Sequence, residues 1–451
     1  MKNLTLFQGV IIAICVLSAI GGLALFASFE GGSKDMKVPI TVWGTYPSSA
    51  FANVINDSSI DPETGFADLT HITYEQKNVE TFDSEFVEAL AVGVGPDLVF
   101  LDHDSIYRNW NKLAPVTYVT YSERLFKDTY VQGADVNRDG KGIRGFPVTV
   151  DPLVLYWNRD IFTTAGIVTP PKTWTEFLSI VPELSKTDSL GTVYQSAAAL
   201  GEFDNITHAK DILTTLILQT ENPIVIRNES ILENESVSIE YSSVLANAST
   251  SQISQPSENA LQFYAQYSDP SRELYSWNKS LENDKDLFLQ GDVAMYFGKA
   301  SEFDSMKKKN PNLNFEVTPV PQRTDSNKIV IADYQSLAVP RGAKNLGASY
   351  AAIQQLLIPP IHKRFAEEVG LPSTRRDLLL SQQPSAHDDV FYESALYSGY
   401  FIDVNPRGSE LLFEEMLESY TTGARGLVQS VANTSTRLNV LVKEFQVKLL
   451  Q

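Results

Sequence analysis

Asp151 is the residue of this chain most in need of a chemical explanation. It stands inside Val148–Trp157, a strand-like run of apolar and aromatic residues, and Pro152 follows it at once. A carboxylate in such surroundings costs free energy unless something partners it. Two readings follow: a structural hydrogen bond to neighbouring backbone, or an acid kept for a ligand. Other chemistries are poorly represented. The five histidines, His71, His103, His208, His362 and His387, are scattered without metal-ligand spacing. There is no nucleophile elbow, phosphate loop or dinucleotide fingerprint. Paired carboxylates can hydrolyse glycosidic bonds, and with 55 acidic residues such pairs arise by number alone, so a glycosidase stays as the enzyme alternative. Asp135, Asn137 and Asp139 carry the first spacings of a calcium loop, yet Phe146 holds the twelfth position, where a bidentate acid belongs. Asp139-Gly140 between strand-like residues is a turn signal, and a turn is expected there. No metal and no cofactor is expected.

These residues need elements to hold them. Ile40–Trp43 reads as a first strand and Thr70–Tyr74 as a second. Phe82, Phe86, Ala89 and Leu90 recur at helical spacing until Gly93–Pro96 stops the helix. Asp97–Leu101 is then a buried strand that runs out into Asp102-His103-Asp104. After the Asp151 strand, Asn158-Arg159-Asp160 opens a short helix, Gly166 ends it, and Thr173-Trp174-Thr175-Glu176 forms a capping box for the next. Such alternation predicts α/β layers on a largely parallel sheet. Ligands gather beyond the carboxyl ends of such strands, which is where Trp43 and Asp102-His103-Asp104 fall. Their structural alternatives are packing for the tryptophan and helix capping for the acids.

Charge and length bound the rest. The formal net charge is -19, which argues against nucleic acid and against adhesion to an anionic membrane surface. Leu4–Phe29 is mostly apolar and uncharged, and roughly 20 such residues cross a bilayer. Lys2 on one flank and Glu30 on the other predict an inside N-terminus and an exported remainder. A cleaved signal would need a small-x-small exit that Leu25-Phe26-Ala27 fits poorly. A lipoprotein signal would need a small residue where Ile14 precedes Cys15. An uncleaved transmembrane anchor over 1–30 fits best. Cys15 is the single cysteine, so the exported part has no disulfide, thiolate metal site or cysteine nucleophile. About 420 residues after the anchor exceed one core, and two lobes are expected. The stretch 221–257 is rich in Ser, Asn and Glu and reads as an exposed, flexible insertion.

Eight segments, taken in order, resemble extracellular solute-binding proteins of ABC importers, family 1, the maltose-binding-protein-like group. They are ITVWG at 40–44, GPDLVFLDHD at 95–104, GFPVTVDPLVLYWNRDIFTTAGI at 145–167 and PPKTWTEF at 170–177. LGEFDNITHAKDIL at 200–213, ALQFYAQYSDP with YSWN around Phe263 and Trp277, FLQGDVAMYFGKASEF at 288–303 and GLPSTRRDL at 370–378 follow. The resemblance implies a two-lobed periplasmic-binding-protein type II fold with a hinge. Carried over, lobe one holds 38–149 and 335–373, and lobe two holds 155–328 and 378–451, with 221–257 as an insertion. Asp151 marks the first crossing and 332–335 the second.

The same resemblance implies a carbohydrate ligand between the lobes, since carboxylates and amides pair with hydroxyls and rings stack on a pyranose face. The positions it points to are Trp43, Asp104, Asp151, Glu202, Phe203, Asp204, Asn205, Trp277, Phe297 and Tyr334. Glu202 and Asp204 could instead cap the helix beginning near Thr207, and Phe297 could be core. The family's lobe-two tryptophan is missing; Lys299-Ala300 stand there, which weakens the case for a maltodextrin. The implied role is capture of a sugar outside the cell by a membrane-anchored monomer, not an enzyme, that delivers it to ABC permease subunits. A ligand-sensing surface receptor of the same fold is the other alternative.

Overall fold

The structure, a computed structural model, describes residues 38–56, 69, 71–231, 237–247, 249–250, 253–324, 326–381 and 386–450. The expected anchor over 1–30, with Cys15, lies outside these residues. Among the described residues no helix is long and apolar enough to cross a membrane.

The first strands and helices alternate as the residue pattern dictates. β1 (Ile40–Gly44) pairs in parallel with β2 (Ile72–Gln76) and with β3 (Leu98–Asp102). Between β2 and β3, α1 (Phe82–Ala91) buries Phe82, Phe86 and Ala89, and Gly93 follows it with φ of 74°, a left-handed conformation suited to glycine. α2 (His103–Arg108) begins directly at the end of β3. β4 (Phe146–Asn158) is thirteen residues long. Asn158 caps the helix after it, accepting from the amides of Asp160 and Ile161. The capping box of α3 (Trp174–Leu184) forms in full, with the Glu176 amide donating to Thr173 and the Thr173 amide donating to Glu176.

β5 (Val193–Ala198), α4 (Ala209–Leu218), the hairpin β6 (Val225–Ile231) and β7 (Val237–Ser243), β8 (Val293–Lys299), β9 (Phe315–Pro319) and β10 (Val330–Pro340) complete the strands that matter here, and α5 (Leu427–Leu450) closes the chain. The main sheet runs β2-β1-β3-β10-β4-β8-β5, with β9 also paired to β4. It is parallel from β2 to β3 and between β8 and β5, and antiparallel through β10 and β4. The short strand Lys186–Thr187 adds antiparallel to the outer edge of β5.

Those two central strands change hydrophobic allegiance along their length. Phe146 and Val148 of β4, with Leu337 and Val339 of β10, belong to an apolar cluster built on β1 and β3. Leu153–Tyr156 of β4 and Val330-Ile331 of β10 belong to a second, larger cluster. Val150, Ala332 and Tyr334 sit in a small cluster between them. This is a two-lobed α/β architecture, with β4 and β10 passing from one apolar cluster to the other.

One expectation changes here, and the turn expected at Asp139-Gly140 forms. The segment 221–257 is not simply exposed: Ile224, Val225, Tyr241 and Leu245 are buried, and Tyr241 packs edge-on to Phe445 of α5. A few large side chains at the hairpin base suffice to pin a polar segment, and composition averages hide them. The calcium-like loop is a hairpin turn, Asp139 pairing with Gly142. Arg138 takes both oxygens of Asp135 at 2.8 and 2.9 Å.

Candidate functional site

Register brings the chemistry together. Where β4 and β10 run antiparallel, Asp151 stands opposite Asp333 and Thr149 opposite Gln335. Side chains opposite one another in such a ladder are near neighbours, and like charges there repel. The carboxyl end of β3 supplies Asp102, His103 and Asp104, and the loop after β1 supplies Tyr46. These residues and Leu371 line a cavity of about 390 Å³. Asp102 has a structural duty too: it caps α2, accepting from the Ser105 amide at 2.5 Å. Tyr46 and Thr149 share a hydroxyl hydrogen bond.

The turn after β8 supplies partners to these acids from outside the cavity lining. The Ser301 amide donates to Asp151 Oδ1 at 3.0 Å. Lys299, 5 % exposed, places Nζ 3.0 Å from Asp211 of α4 and 3.2 Å from Asp333. A buried ammonium is tolerable only with such partners, and those acids hold its pKa above the ordinary value against the effect of burial. Behind it, His208 Nε2 lies 2.5 Å from Glu302 Oε1, and Lys285 and Tyr296 reach the other oxygen, each at 2.8 Å. Lys210 pairs with Asp403 at 2.6 Å.

Burial pushes Asp151 up to about 6, with Lys299 and the Ser301 amide opposing. Asp104 is also pushed up to about 6, chiefly by burial, while His103 at 3.1 Å pulls it down and Asp403 and Asp102 add to the rise. His103 is drawn down by burial, but Asp104, Asp333 and Asp102 raise it on balance. Two acids that resist ionisation, facing a cavity, are the electrostatic mark of groups waiting for a partner.

Of the ten positions expected from sequence, Asp104 and Asp151 line this cavity. Trp43 does not. Alternation along β1 turns it away from buried Val42, and its ring lies under the Lys77 ammonium at 3.6 Å. Trp277 is completely buried, and its Nε1 donates to Asn205 Oδ1 at 2.9 Å. Asn205 uses its remaining hydrogens on the carbonyls of Asn278 and Leu281. Both are therefore structural. Phe297, 1 % exposed, packs on Trp174 and Phe177, and Phe203 is buried. The Tyr334 side chain points into the small central cluster and donates to the Gly399 carbonyl at 3.1 Å. Glu202 lines a different groove, beside Lys279 and Tyr420. Asp204 is exposed and lies against Glu414, whose pKa is raised by burial and then by Asp204.

Sequence reasoning missed Tyr46, Thr149, Lys299, Asp211, Asp333 and Gln335. Two could have been found by the logic applied to Asp151, since Asp333 and Lys299 are charges inside apolar runs, VIADY and VAMYFGK.

Known proteins share this fold. A family model described as bacterial extracellular solute-binding protein matches residues 63–391. A cyclo/maltodextrin-binding protein complexed with maltotetraose superposes with a TM-score of 0.68 at 14% identity, covering 91% of this chain and 98% of that one. The sugar-binding protein MalE of Xanthomonas citri gives 0.68 at 18% identity, covering 91% and 99%. A cyclic alpha-maltosyl-1,6-maltose binding protein of Arthrobacter globiformis gives 0.68 at 14% identity, covering 91% and 100%. At these identities the likeness establishes the fold.

Proposed function

Because the chain belongs to the bacterial extracellular solute-binding protein family, we propose that its cavity captures a carbohydrate outside the cytoplasm for delivery to an ABC permease. The observation that carries this reading is the cavity on the two crossing strands. It gathers carboxylates, an amide, an imidazole and hydroxyls in about 390 Å³, within the roughly 300–1,000 Å³ of small-molecule pockets. Hydroxyl-rich ligands need such donors and acceptors in numbers. Several proteins of the same fold hold sugars, among them maltotetraose and mannotriose.

In this reading lobe one is 38–149 with 335–373 and lobe two is 155–328 with 378–451. Asp151 and Asp333 lie where the lobes hinge. Contacts from both lobes coexist only when the cleft is shut, so a ligand that makes them selects the closed form. The protein acts as a monomer, and 1–30 tethers it to the membrane with the binding lobes outside. It returns its ligand unaltered.

The test uses full-length protein in a sugar-free detergent and a carbohydrate panel. At least one sugar should raise the melting temperature with saturation, compact the protein in small-angle scattering, and be recovered intact by mass spectrometry. A panel without any stabilising sugar would refute the reading, and a ligand recovered cleaved would move the chain to the glycosidases.

A further inference from the structure

We infer that the solute carries a protonated amine among its hydroxyls, as an amino sugar does. This rests on the carbohydrate reading above and narrows it.

The charge inventory of the cavity points there. Four carboxylates line it, Asp102, Asp104, Asp151 and Asp333, and among the described residues no lysine or arginine does. The cations nearby are already engaged. Lys299 sits between Asp211 and Asp333, Lys210 is held by Asp403, and His103 serves Asp104. Asp102 is satisfied in part by the N-terminus of α2. Asp151 accepts from Ser301, through its amide and its side chain, and feels Lys299 from a distance, but it forms no ion pair within 4 Å among the described residues. A neutral hydroxyl can donate to such a carboxylate but cannot neutralise it. An ammonium group does both, and charge-assisted hydrogen bonds are about twice as strong as neutral ones.

A second observation is independent of charge. The rings expected to stack on a pyranose are in the core: Trp277 and Phe297 are buried, and Trp43 is turned away under Lys77. Among the described residues Tyr46 is the only benzenoid ring on the cavity wall, and it shares a hydroxyl hydrogen bond with Thr149. Gln335 adds a side-chain oxygen that is buried without a donor. The wall is built to receive hydrogen-bond donors and positive charge more than an apolar sugar face.

Beyond the cavity the acidity continues on lobe two. Glu410 is held up by burial and by Asp211 and Asp403 against the pull of Lys210.

Titration calorimetry at pH 7.5 on full-length protein in sugar-free detergent tests this with matched triplets. Each triplet is an amino sugar, its N-acetyl form and its hydroxyl parent, in gluco, galacto and manno configuration, as monomers and β-1,4-linked dimers. In the best triplet the free amine should bind at least tenfold tighter than both partners. Asp151→Asn, and separately Asp104→Asn, should each cut that preference at least fivefold, with thermal melts confirming that the variants fold. A neutral or N-acetylated member that binds as tightly as its amine overturns this inference and leaves the carbohydrate reading standing. Spermidine binding with every sugar inert overturns both, as does a panel in which nothing binds.

Discussion

Replacing Asp151 with asparagine should make the unliganded protein more stable at neutral pH. Burial holds the carboxyl at about 6 against an ordinary 3.8. Each pKa unit corresponds to about 1.4 kcal/mol, so ionising it in the folded state costs about 3 kcal/mol at pH 7. Solvent in the cavity screens part of that, and Lys299 loses a favourable neighbour, which leaves a net gain of about 1–2 kcal/mol for Asp151→Asn. Asparagine keeps an oxygen for the Ser301 amide. In a chain this long, about 1–2 kcal/mol corresponds to roughly 1–2 °C in Tm. The sign can be checked against pH. A folded pKa above the unfolded one means that the native state binds more protons between about 3.8 and 6, so wild-type stability falls as pH rises through that window and stays low above it. The variant lacks this fall. Its advantage should be present at pH 7.5 and gone at pH 4, where wild-type Asp151 is protonated and resembles asparagine. Differential scanning fluorimetry of the two proteins across pH 4 to 8 measures this. A variant that melts lower than wild type at pH 7.5, or a difference independent of pH, would refute the view that this acid is a strained functional group.

Trp277→Phe should lower stability by roughly 1–3 kcal/mol, because Asn205 Oδ1 loses its buried donor; urea unfolding reads this, and sugar affinity should not move. Lys299→Met should be more severe, about 3–5 kcal/mol, since it strands the Asp211 carboxylate beside a second acid; a melting temperature within a degree of wild type would contradict the assigned network. His208 is pulled down by burial, but Asp211 and Glu302 bring it up to about 9. Its contribution is full below the ordinary 6.5 and is lost as pH rises through 9, so wild-type Tm should decline from pH 7 to 9 and His208→Gln should remove that decline.

The family and the layered architecture were legible in the residues. β-branched and aromatic runs fix strands, Asn158 and the Thr173/Glu176 box fix helix starts, and Gly93 and Gly166 fix stops, because each acts on backbone within a few residues. Asp151 was legible for a related reason: a charge in an apolar run is conspicuous wherever the run folds. Which side chains share a cavity was decided by tertiary structure. A strand's period of two turned Trp43 away from the face of Val42, while Tyr46, in the loop beyond the strand, reached the cavity. The antiparallel register of β4 and β10 set Asp151 against Asp333, 182 positions further along the chain, a pairing no local pattern encodes. Burial then completed the selection. Trp277, Phe297 and Tyr334 have the right chemistry for a sugar, but their apolar area is worth more in the core than at a wet surface, and only the folded packing reveals which aromatic residues went there.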